Sequence, residues 1–170
     1  MSKLENKVAL VTGGSRGIGA AIAKRLAAEG ASVAITYSAG QQKADEVVRS
    51  IESAGGHALA IHADNIDAGA VKSAVTETVK KLGRLDVLVN NAGIAAFKPL
   101  EEFTIEDFDR SVAVNVRAVF VAAQEAARHM PDGGRIMKLH SSRAPASPST
   151  EDLPPERATL RHYGNPAPHC

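Results

Sequence analysis

A glycine-rich loop stands between an apolar run and an amphipathic segment near the start of the chain. The apolar run covers Val8 to Val11, and the loop continues as Thr12-Gly13-Gly14-Ser15-Arg16-Gly17-Ile18-Gly19. Apolar residues then recur at helical spacing. The whole pattern predicts a buried strand that leads into a helix through a loop whose backbone a ligand can approach closely. Backbone N–H groups at such a helix start suit a phosphate. The loop predicts a site for a nucleotide pyrophosphate; the alternative is a structural tight turn.

The end of the second predicted strand bears on which nucleotide this site takes. An acid there would bind the ribose hydroxyls of NAD and would repel a 2′-phosphate. The chain has Tyr37 and Ser38 instead, and the guanidinium of Arg16 in the glycine loop can bind a phosphate through two nitrogens. These residues favour NADP(H) over NAD(H) as the cofactor. The alternative for Arg16 is a solvated loop charge.

The spacing of these glycines resembles a known family. Gly13-x-x-x-Gly17-x-Gly19 with Thr12 in front is similar to the first turn of the short-chain dehydrogenase/reductase family, and most similar to its 3-oxoacyl-carrier-protein-reductase-like members. The resemblance continues through Asp64, the run Asn90-Asn91-Ala92-Gly93 and Asn115, and it fades just after Ser141. The family's C-terminal third has no recognisable counterpart here. The resemblance assigns cofactor binding to Gly13, Ser15, Arg16, Gly17, Ile18, Gly19, Tyr37 and Ser38.

The resemblance also assigns roles to polar residues that follow the third and fourth predicted strands. Asn91, Ala92 and Gly93 would support the adenosine ribose of the cofactor; the alternative is a turn that merely ends a strand. Asp64, with Asn65 beside it, would contact the adenine; the alternative is a polar turn that flanks a helix. A carboxylate that accepts from the adenine amino group is chemically sensible.

Two further residues correspond to catalytic positions of the family. Asn115 interrupts an apolar helical face, and in the family this residue supports a water chain that leads to the catalytic lysine. The alternative is an asparagine that caps a local helix break, and both roles are compatible. Ser141 corresponds to the serine that orients the substrate, with Ser142 as the alternative, because His140 stands where the family has a small residue.

The family's general acid and its lysine are not found. The chemistry uses a Tyr-x-x-x-Lys motif, in which the lysine lowers the pKa of the tyrosine. The family's spacing from the serine predicts these residues at Pro154 and Ala158, or at Leu153 and Arg157 after a shift of one. Tyr163 has no lysine four residues later, and no lysine follows Lys138. We therefore expect impaired hydride transfer.

Two functional hypotheses follow. By resemblance, the chain is an NADP(H)-dependent oxidoreductase that moves hydride between nicotinamide and a small ketone or alcohol, with a 3-oxoacyl thioester as one substrate class. The alternative is a non-catalytic NADP-binding module, or an inactive fragment of such an enzyme. The missing tyrosine and lysine distinguish the two.

The elements that must position these residues alternate between strand and helix. This alternation predicts right-handed crossovers and a parallel, doubly wound α/β sheet of the Rossmann type, with strand order 3-2-1-4-5 and a ligand between strands 1 and 4. Thr104 and Asp107 predict a capping box at the start of one long helix, which carries an apolar stripe to His129. The predicted strands are 8–11, 31–37, 57–63, 85–89 and 135–139, and the helices 18–26, 41–53, 67–82 and 104–129.

The C-terminal segment differs in composition. Six of the eight prolines lie after residue 140, where no apolar periodicity continues. We therefore predict a cofactor-binding Rossmann domain at 1–139 and a Pro-rich, irregular tail at 140–170. Out-of-frame translation or a divergent terminus would account for the change. The tail's His140, His162, His169 and Cys170 match no metal-ligand spacing, so no metal site is predicted.

Composition excludes several classes of function. Twenty Lys and Arg balance nineteen Asp and Glu, which argues against nucleic acid or an anionic membrane as a partner. The single cysteine, Cys170, excludes an intramolecular disulfide. The N-terminal residues lack the apolar core of a signal peptide, and no run reaches the ~20 apolar residues of a membrane span. We expect a cytoplasmic protein; members of the family usually form homo-oligomers.

Overall fold

A parallel sheet of five strands organises the protein. The computed structural model describes residues 3–139. Neighbouring strands pair in the order β3-β2-β1-β4-β5, and every pair is parallel, so the predicted doubly wound Rossmann-type sheet is confirmed. The strands are Val8–Val11 (β1), Ser32–Tyr37 (β2), His57–His62 (β3), Val87–Asn90 (β4) and Arg135–Lys138 (β5).

Helices connect the strands and cover both faces of the sheet. The predicted 41–53 helix has its predicted bounds, and the next helix begins one residue later than predicted because Asp67 is its N-cap and accepts from the Gly69 N–H. None of the helices within residues 3–139 combines the length and the apolar composition that a membrane span requires. The helices are Gly17–Ala28 (α1), Gln41–Ser53 (α2), Ala68–Leu82 (α3), Ile105–Val112 (α4) and Ala118–Ala127 (α5).

Alternate residues of the central strands supply two separate cores. Successive side chains of a strand point to opposite faces, and β1 is buried on both. Ala9 and Val11 pack with side chains of α1 and α2, whereas Leu10 packs with side chains of α3 and α5. The four buried residues of β1 are therefore explained by a layer of helices on each side.

The predicted long helix is divided by a wider turn. A π turn at Ala113–Arg117 separates α4 from α5, so the single helix predicted over 104–129 is wrong in this respect. The predicted capping box is confirmed, because the Thr104 hydroxyl and the Asp107 carboxylate each accept from the other's backbone N–H. Small residues of α5 form its buried face, whereas the larger members of the predicted apolar stripe are exposed: Phe108, Val112, Val116 and Phe120.

A buried carboxylate joins the amino-terminal ends of β1 and β4. Asp86 Oδ2 accepts from the Val8 N–H at 2.9 Å, and both carboxylate oxygens accept from Arg84 at 2.7 Å. Lys7 Nζ lies 3.3 Å from Oδ1. Burial favours the neutral acid, but the hydrogen bonds from Arg84, Val8 and Lys7 together outweigh it and hold the pKa of Asp86 below its usual value.

The fifth strand is the less protected edge of the described sheet. Within residues 3–139, β5 pairs with β4 alone, and all four of its residues are exposed. Ile136 and Met137 are both almost half accessible. An edge with free backbone groups and apolar side chains is a site of unwanted association.

Candidate functional site

A cleft of about 610 Å³ lies at the carboxyl ends of the central strands. This is the position at which open α/β sheets bind ligands. Every residue that the sequence assigned to the cofactor lines this cleft, although those residues come from four separate segments of the chain: Gly13, Ser15, Arg16, Gly17, Ile18, Gly19, Tyr37, Ser38, Asp64, Asn65, Asn91, Ala92 and Gly93. Their binding role remains a prediction.

Thr12 connects the glycine loop to the segment after β4. Its hydroxyl oxygen accepts from the backbone N–H groups of Asn91 and Ala92, both at 3.1 Å. Its own backbone N–H donates to the Val89 carbonyl at 3.0 Å. One buried hydroxyl therefore satisfies two N–H groups at a strand end, where the ladder of sheet hydrogen bonds has stopped.

The Asn91 side chain holds the first turn of the glycine loop from the other side. Its Nδ2 donates to the carbonyls of Thr12 and Gly13 at 2.8 and 3.0 Å. Gly19 fits closely against this pair, because a Cβ at that position would overlap the Gly13 carbonyl oxygen and lie 2.5 Å from Asn91 Nδ2. The loop thus needs a glycine at position 19 for packing and at Gly13 for its φ of +64°.

The end of β2 forms another wall of the cleft. Thr36 Oγ1 accepts from the Gly13 N–H at 3.0 Å, which connects this wall to the glycine loop. The rings of Tyr37 and His62 meet edge to face with centroids 5.4 Å apart. His62 Nε2 lies 3.1 Å from the Ser38 carbonyl oxygen, which can only accept, so this nitrogen carries the proton. The predicted Tyr37-Ser38 pair is therefore held by β3.

Asp64 lies at the cleft and also shapes the turn into α3. Its Oδ1 accepts from the Ile66 N–H at 3.0 Å, and its backbone carbonyl accepts from the Asp67 N–H at 3.0 Å. The second carboxylate oxygen remains accessible to a ligand that donates a hydrogen bond. The two interpretations of this residue, as a polar turn and as a ligand contact, are therefore compatible.

Asn115 clamps the chain just beyond the Asn91-Ala92-Gly93 run. Its Oδ1 accepts from the Ile94 N–H at 3.0 Å and its Nδ2 donates to the Ile94 carbonyl at 2.9 Å. Asn115 lies within the π turn, and its side chain bonds the Ile94 backbone of another segment. The same side chain also approaches Gly93, where a Cβ would lie 3.1 Å from Oδ1. Single π turns often mark functional positions in helices.

The charges that line the cleft are mostly positive. Arg16, Lys43 and Arg110 reach it from the glycine loop, α2 and α4, and within residues 3–139 none of the three side chains has an ion pair or hydrogen bond. Among the described lining residues, Asp64 is the single carboxylate. An excess of unpaired cations at a helix N-terminus favours an anionic ligand.

Several lining residues were missed from the sequence. Lys43 and Arg110 lie within helices whose polar faces gave no reason to select one charge over another. The remainder contribute backbone or small apolar surface: Thr36, Ala39, Gly40, Ala63, Ile66, Ile94 and Val114. Tertiary packing decides which residues line the cleft. For most of these missed residues, a position near the carboxyl end of a predicted strand was a usable signal.

The remaining predicted positions fall beyond the described part of the chain. Ser141, the alternative Ser142, the Pro-rich tail and the positions tested for the tyrosine and lysine all lie outside residues 3–139. The histidines and the cysteine of the tail lie there too. Of the predicted catalytic pair, only Asn115 is therefore placed.

Known proteins resemble the chain in sequence and in structure. Residues 7–150 match the family model for short chain dehydrogenases. A hydroxynaphthalene reductase of Aspergillus fumigatus is 48% identical over 138 residues, which are 81% of this chain and 50% of that protein. Versicolorin reductase 1 of Aspergillus parasiticus is 46% identical over 142 residues, or 84% of this chain and 54% of that protein.

A solved structure adds a spatial comparison. A short chain dehydrogenase of Burkholderia cenocepacia, crystallised in complex with NADP, superposes with a TM-score of 0.79 at 56% identity, and covers 80% of this chain and 56% of that one. The chain spans about half the length of the curated relatives it matches. The family model covers most of the chain, and the sheet order and glycine loop agree with it, so this chain belongs to the short-chain dehydrogenase family.

Proposed function

We propose that residues 1–139 form a nucleotide-binding domain that takes NADP(H) in preference to NAD(H). The observation that carries this proposal is the cleft itself, where a glycine loop opens beside unpaired cations at the carboxyl ends of β1, β2 and β4. Hydride transfer is the chemistry that a nicotinamide supplies when it is bound. By its family, the parent activity is an oxidoreductase that acts on a ketone or alcohol.

The residues present fit a dinucleotide. Gly17 has a φ of +53° and open space where a Cβ would stand, so a ligand can approach the backbone at the start of α1. The first turn of α1 contains no acidic residue that would oppose a phosphate. The pyrophosphate would lie on this turn, with Asn91, Ala92 and Gly93 beside the adenosine ribose and Asp64 beside the adenine.

Preference for the 2′-phosphate has two supports. No acid stands at the end of β2, where Tyr37 and Ser38 line the cleft, so nothing there repels a second anion. Arg16 is exposed and unpaired within the described residues, which leaves its guanidinium available to a phosphate. The Burkholderia cenocepacia relative in complex with NADP agrees with this choice.

We further propose that this chain turns substrate over poorly. Asn115 is held in place by Ile94, but the sequence contains no Tyr-x-x-x-Lys motif to supply the proton. Binding without turnover is therefore the expected behaviour. The second candidate function, an NADP-binding module without catalysis, rests on this same observation.

Thermal unfolding with and without NADPH, with NADH as the comparison, tests the binding proposal. A ligand at ~100 times its dissociation constant stabilises a folded site by roughly 2.7 kcal/mol. We expect a clear rise of the melting temperature with NADPH and a smaller one with NADH at equal concentration. Arg16→Gln should remove most of the difference, whereas Arg49→Gln, which removes an exposed arginine of α2 outside the cleft, should not. A cooperative melt that neither nucleotide moves would contradict the proposal.

NADPH oxidation with a panel of ketones tests the proposal that the chain turns substrate over poorly. The panel should include a 3-oxoacyl thioester and, because the relatives are named for hydroxynaphthalene and versicolorin reduction, ketones of hydroxylated polycyclic aromatics. We expect saturable NADPH binding with turnover near the background rate. Robust turnover by the purified chain would show that another group supplies the proton and would overturn the proposed impairment.

A further inference from the structure

Lys43 lines the cleft from a wall that the glycine loop does not form. It lies in the first turn of α2, and its ammonium group is accessible. A Cβ at Gly40 would lie 4.0 Å from Lys43 Cδ, so the aliphatic part of the lysine runs back beside Gly40, toward the end of β2. Gly40 itself is the N-cap, with a φ of +76° that favours glycine. The side chain is thereby directed to the cleft rather than along α2.

No neighbouring acid neutralises Lys43. Asp45 and Glu46 follow it on α2, yet within residues 3–139 Lys43 has neither an ion pair nor a hydrogen bond. The one carboxylate that lines the described cleft, Asp64, has an oxygen engaged by the Ile66 N–H. The positive charge of Lys43 is therefore available to a ligand.

The stability of α2 does not explain a lysine at this position. The amino end of a helix carries a partial positive charge, and a cation in the first turn is unfavourable there. The first turn of α2 has no acidic residue to offset this repulsion. An anion bound between the helix N-terminus and Lys43 would make both charges favourable.

We propose that Lys43 is a specificity-determining residue that, together with Arg16, binds the phosphate on the adenosine ribose of NADP(H). Arg16 reaches this phosphate from the glycine loop and Lys43 reaches it from α2, and Ser38 lines the same cleft. The inference rests on the proposed function, because it requires that the chain bind NADP(H). It adds a second cation to the one that the sequence selected.

Equilibrium binding of NADPH and NADH to the full chain tests this assignment, with the fluorescence of the reduced nicotinamide as the readout. Adenosine 2′,5′-bisphosphate and adenosine 5′-monophosphate repeat the comparison without nicotinamide, and their affinities are measured by isothermal titration calorimetry. The variants are Lys43→Gln, the charge-preserving Lys43→Arg, Arg16→Gln, and Arg49→Gln as the control that removes an equal charge elsewhere on α2. Melting curves of each variant without ligand verify that it folds.

We expect Lys43→Gln to weaken NADPH and the bisphosphate about tenfold, the size of one charge-assisted contact, while NADH and the monophosphate stay within about twofold. Lys43→Arg should restore most of the affinity, and the loss should shrink at high salt because the site is accessible. Equal weakening of both nucleotides by Lys43→Gln, or no weakening, would overturn the assignment. If only Arg16→Gln changes the NADPH preference, NADP binding stands and the role of Lys43 fails. If the unaltered chain binds neither nucleotide, the proposed function itself fails.

Discussion

The two ends of the β1–β4 pair are held together by different kinds of interaction. At the amino-terminal end, the Asp86 carboxylate binds Arg84, Lys7 and the Val8 N–H. At the carboxyl end, the neutral Thr12 hydroxyl and the Asn91 amide make four hydrogen bonds between the segments that follow the two strands. The same two strands are therefore joined by charged hydrogen bonds at one end and by neutral hydrogen bonds at the other.

This difference separates stability from binding. The hydrogen bonds of Thr12 and Asn91 involve no formal charge. The cations that line the cleft, Arg16, Lys43 and Arg110, are therefore not needed to join the strands and are available to an anionic ligand. The charged hydrogen bonds of Asp86 lie at the opposite ends of these strands, where they do not compete with that ligand. Breaking the carboxyl end should damage nucleotide binding and stability together, whereas breaking the amino end should damage stability alone.

Gly19→Ala should have the largest effect. The new Cβ would overlap the Gly13 carbonyl oxygen, and backbone cannot move aside as a flexible side chain can. We expect a loss of about 3 kcal/mol of unfolding free energy and no shift of the melting temperature by NADPH. Gly69→Ala, the same change in the first turn of α3, meets only the flexible Asp67 side chain and should be near neutral. Equal melting behaviour of the two variants would contradict close packing at Gly19.

Asp86→Ala should have the second-largest effect, because it should cost a similar amount of stability but leave nucleotide binding intact. The change leaves the buried Val8 N–H without its acceptor and removes two ion pairs. We expect a loss of about 3 kcal/mol, at the low end for a buried pair because Arg84 and Lys7 can turn to water. In urea unfolding, the stabilisation by NADPH should remain as large as in the unaltered chain. Its disappearance would show that the two ends are not independent.

Acid should reproduce part of the Asp86→Ala effect. The folded pKa of Asp86 lies below the usual value of 3.8. Its contribution to stability is therefore complete above that usual value and is lost as the pH falls through the lowered one. The difference in unfolding free energy between the unaltered chain and Asp86→Ala should be constant from pH 7 to 5 and should narrow below about pH 3.8. A difference that grows in acid would contradict the direction of the shift.

Thr12→Val should cost less but should affect both properties. The substitution keeps the shape of the side chain and removes the acceptor of the Asn91 and Ala92 N–H groups, which we expect to cost about 2 kcal/mol. NADPH should then bind more weakly, because the segment that we propose lies beside the adenosine ribose loses its anchor. Thr12→Ser keeps the acceptor and should retain the NADPH shift. Equal behaviour of the valine and serine variants would show that the hydroxyl is unimportant.

Lys7→Gln should have the smallest effect. Lys7 is half exposed and lies 3.3 Å from Asp86, whereas Arg84 makes two bonds of 2.7 Å to the same carboxylate. We expect about 0.5 kcal/mol or less for Lys7→Gln and a larger loss for Arg84→Gln, measured by urea unfolding. A larger loss for the lysine variant would mean that distance and geometry do not rank these two pairs.

Local signals account for what the sequence predicted well. The buried β1, the glycine loop and the Thr104–Asp107 capping box each depend on residues within a few positions of one another, so their patterns are visible in the sequence. The strand order follows from the alternation of elements and the rule of right-handed crossovers. Most of the cofactor residues were assigned through the family resemblance, and they lie together because strand ends in such a sheet meet at one edge.

Most of the features that the sequence did not predict depend on contacts between residues that are far apart in the chain. Asp86 lies within the predicted strand 85–89, but its partners Lys7 and Val8 stand 79 and 78 positions earlier, so the sequence gives no signal of these contacts. Lys43 could not be distinguished from other helix charges until packing placed it beside Gly40. The π turn has no pattern of its own, because an asparagine in an apolar face also fits a regular helix.

The π turn at Ala113–Arg117 has a consequence for insertions and deletions. An extra residue in a regular helix would rotate everything after it by about 100°. A π turn contains such a residue within one wide turn, so the buried faces on either side keep their orientation. Removal of one residue here should let the segment return to α-helical winding with α5 still packed on α3. The hydrogen bonds of Asn115 to Ile94 would then be lost, so at this position chain length is a requirement of the site and not of the fold.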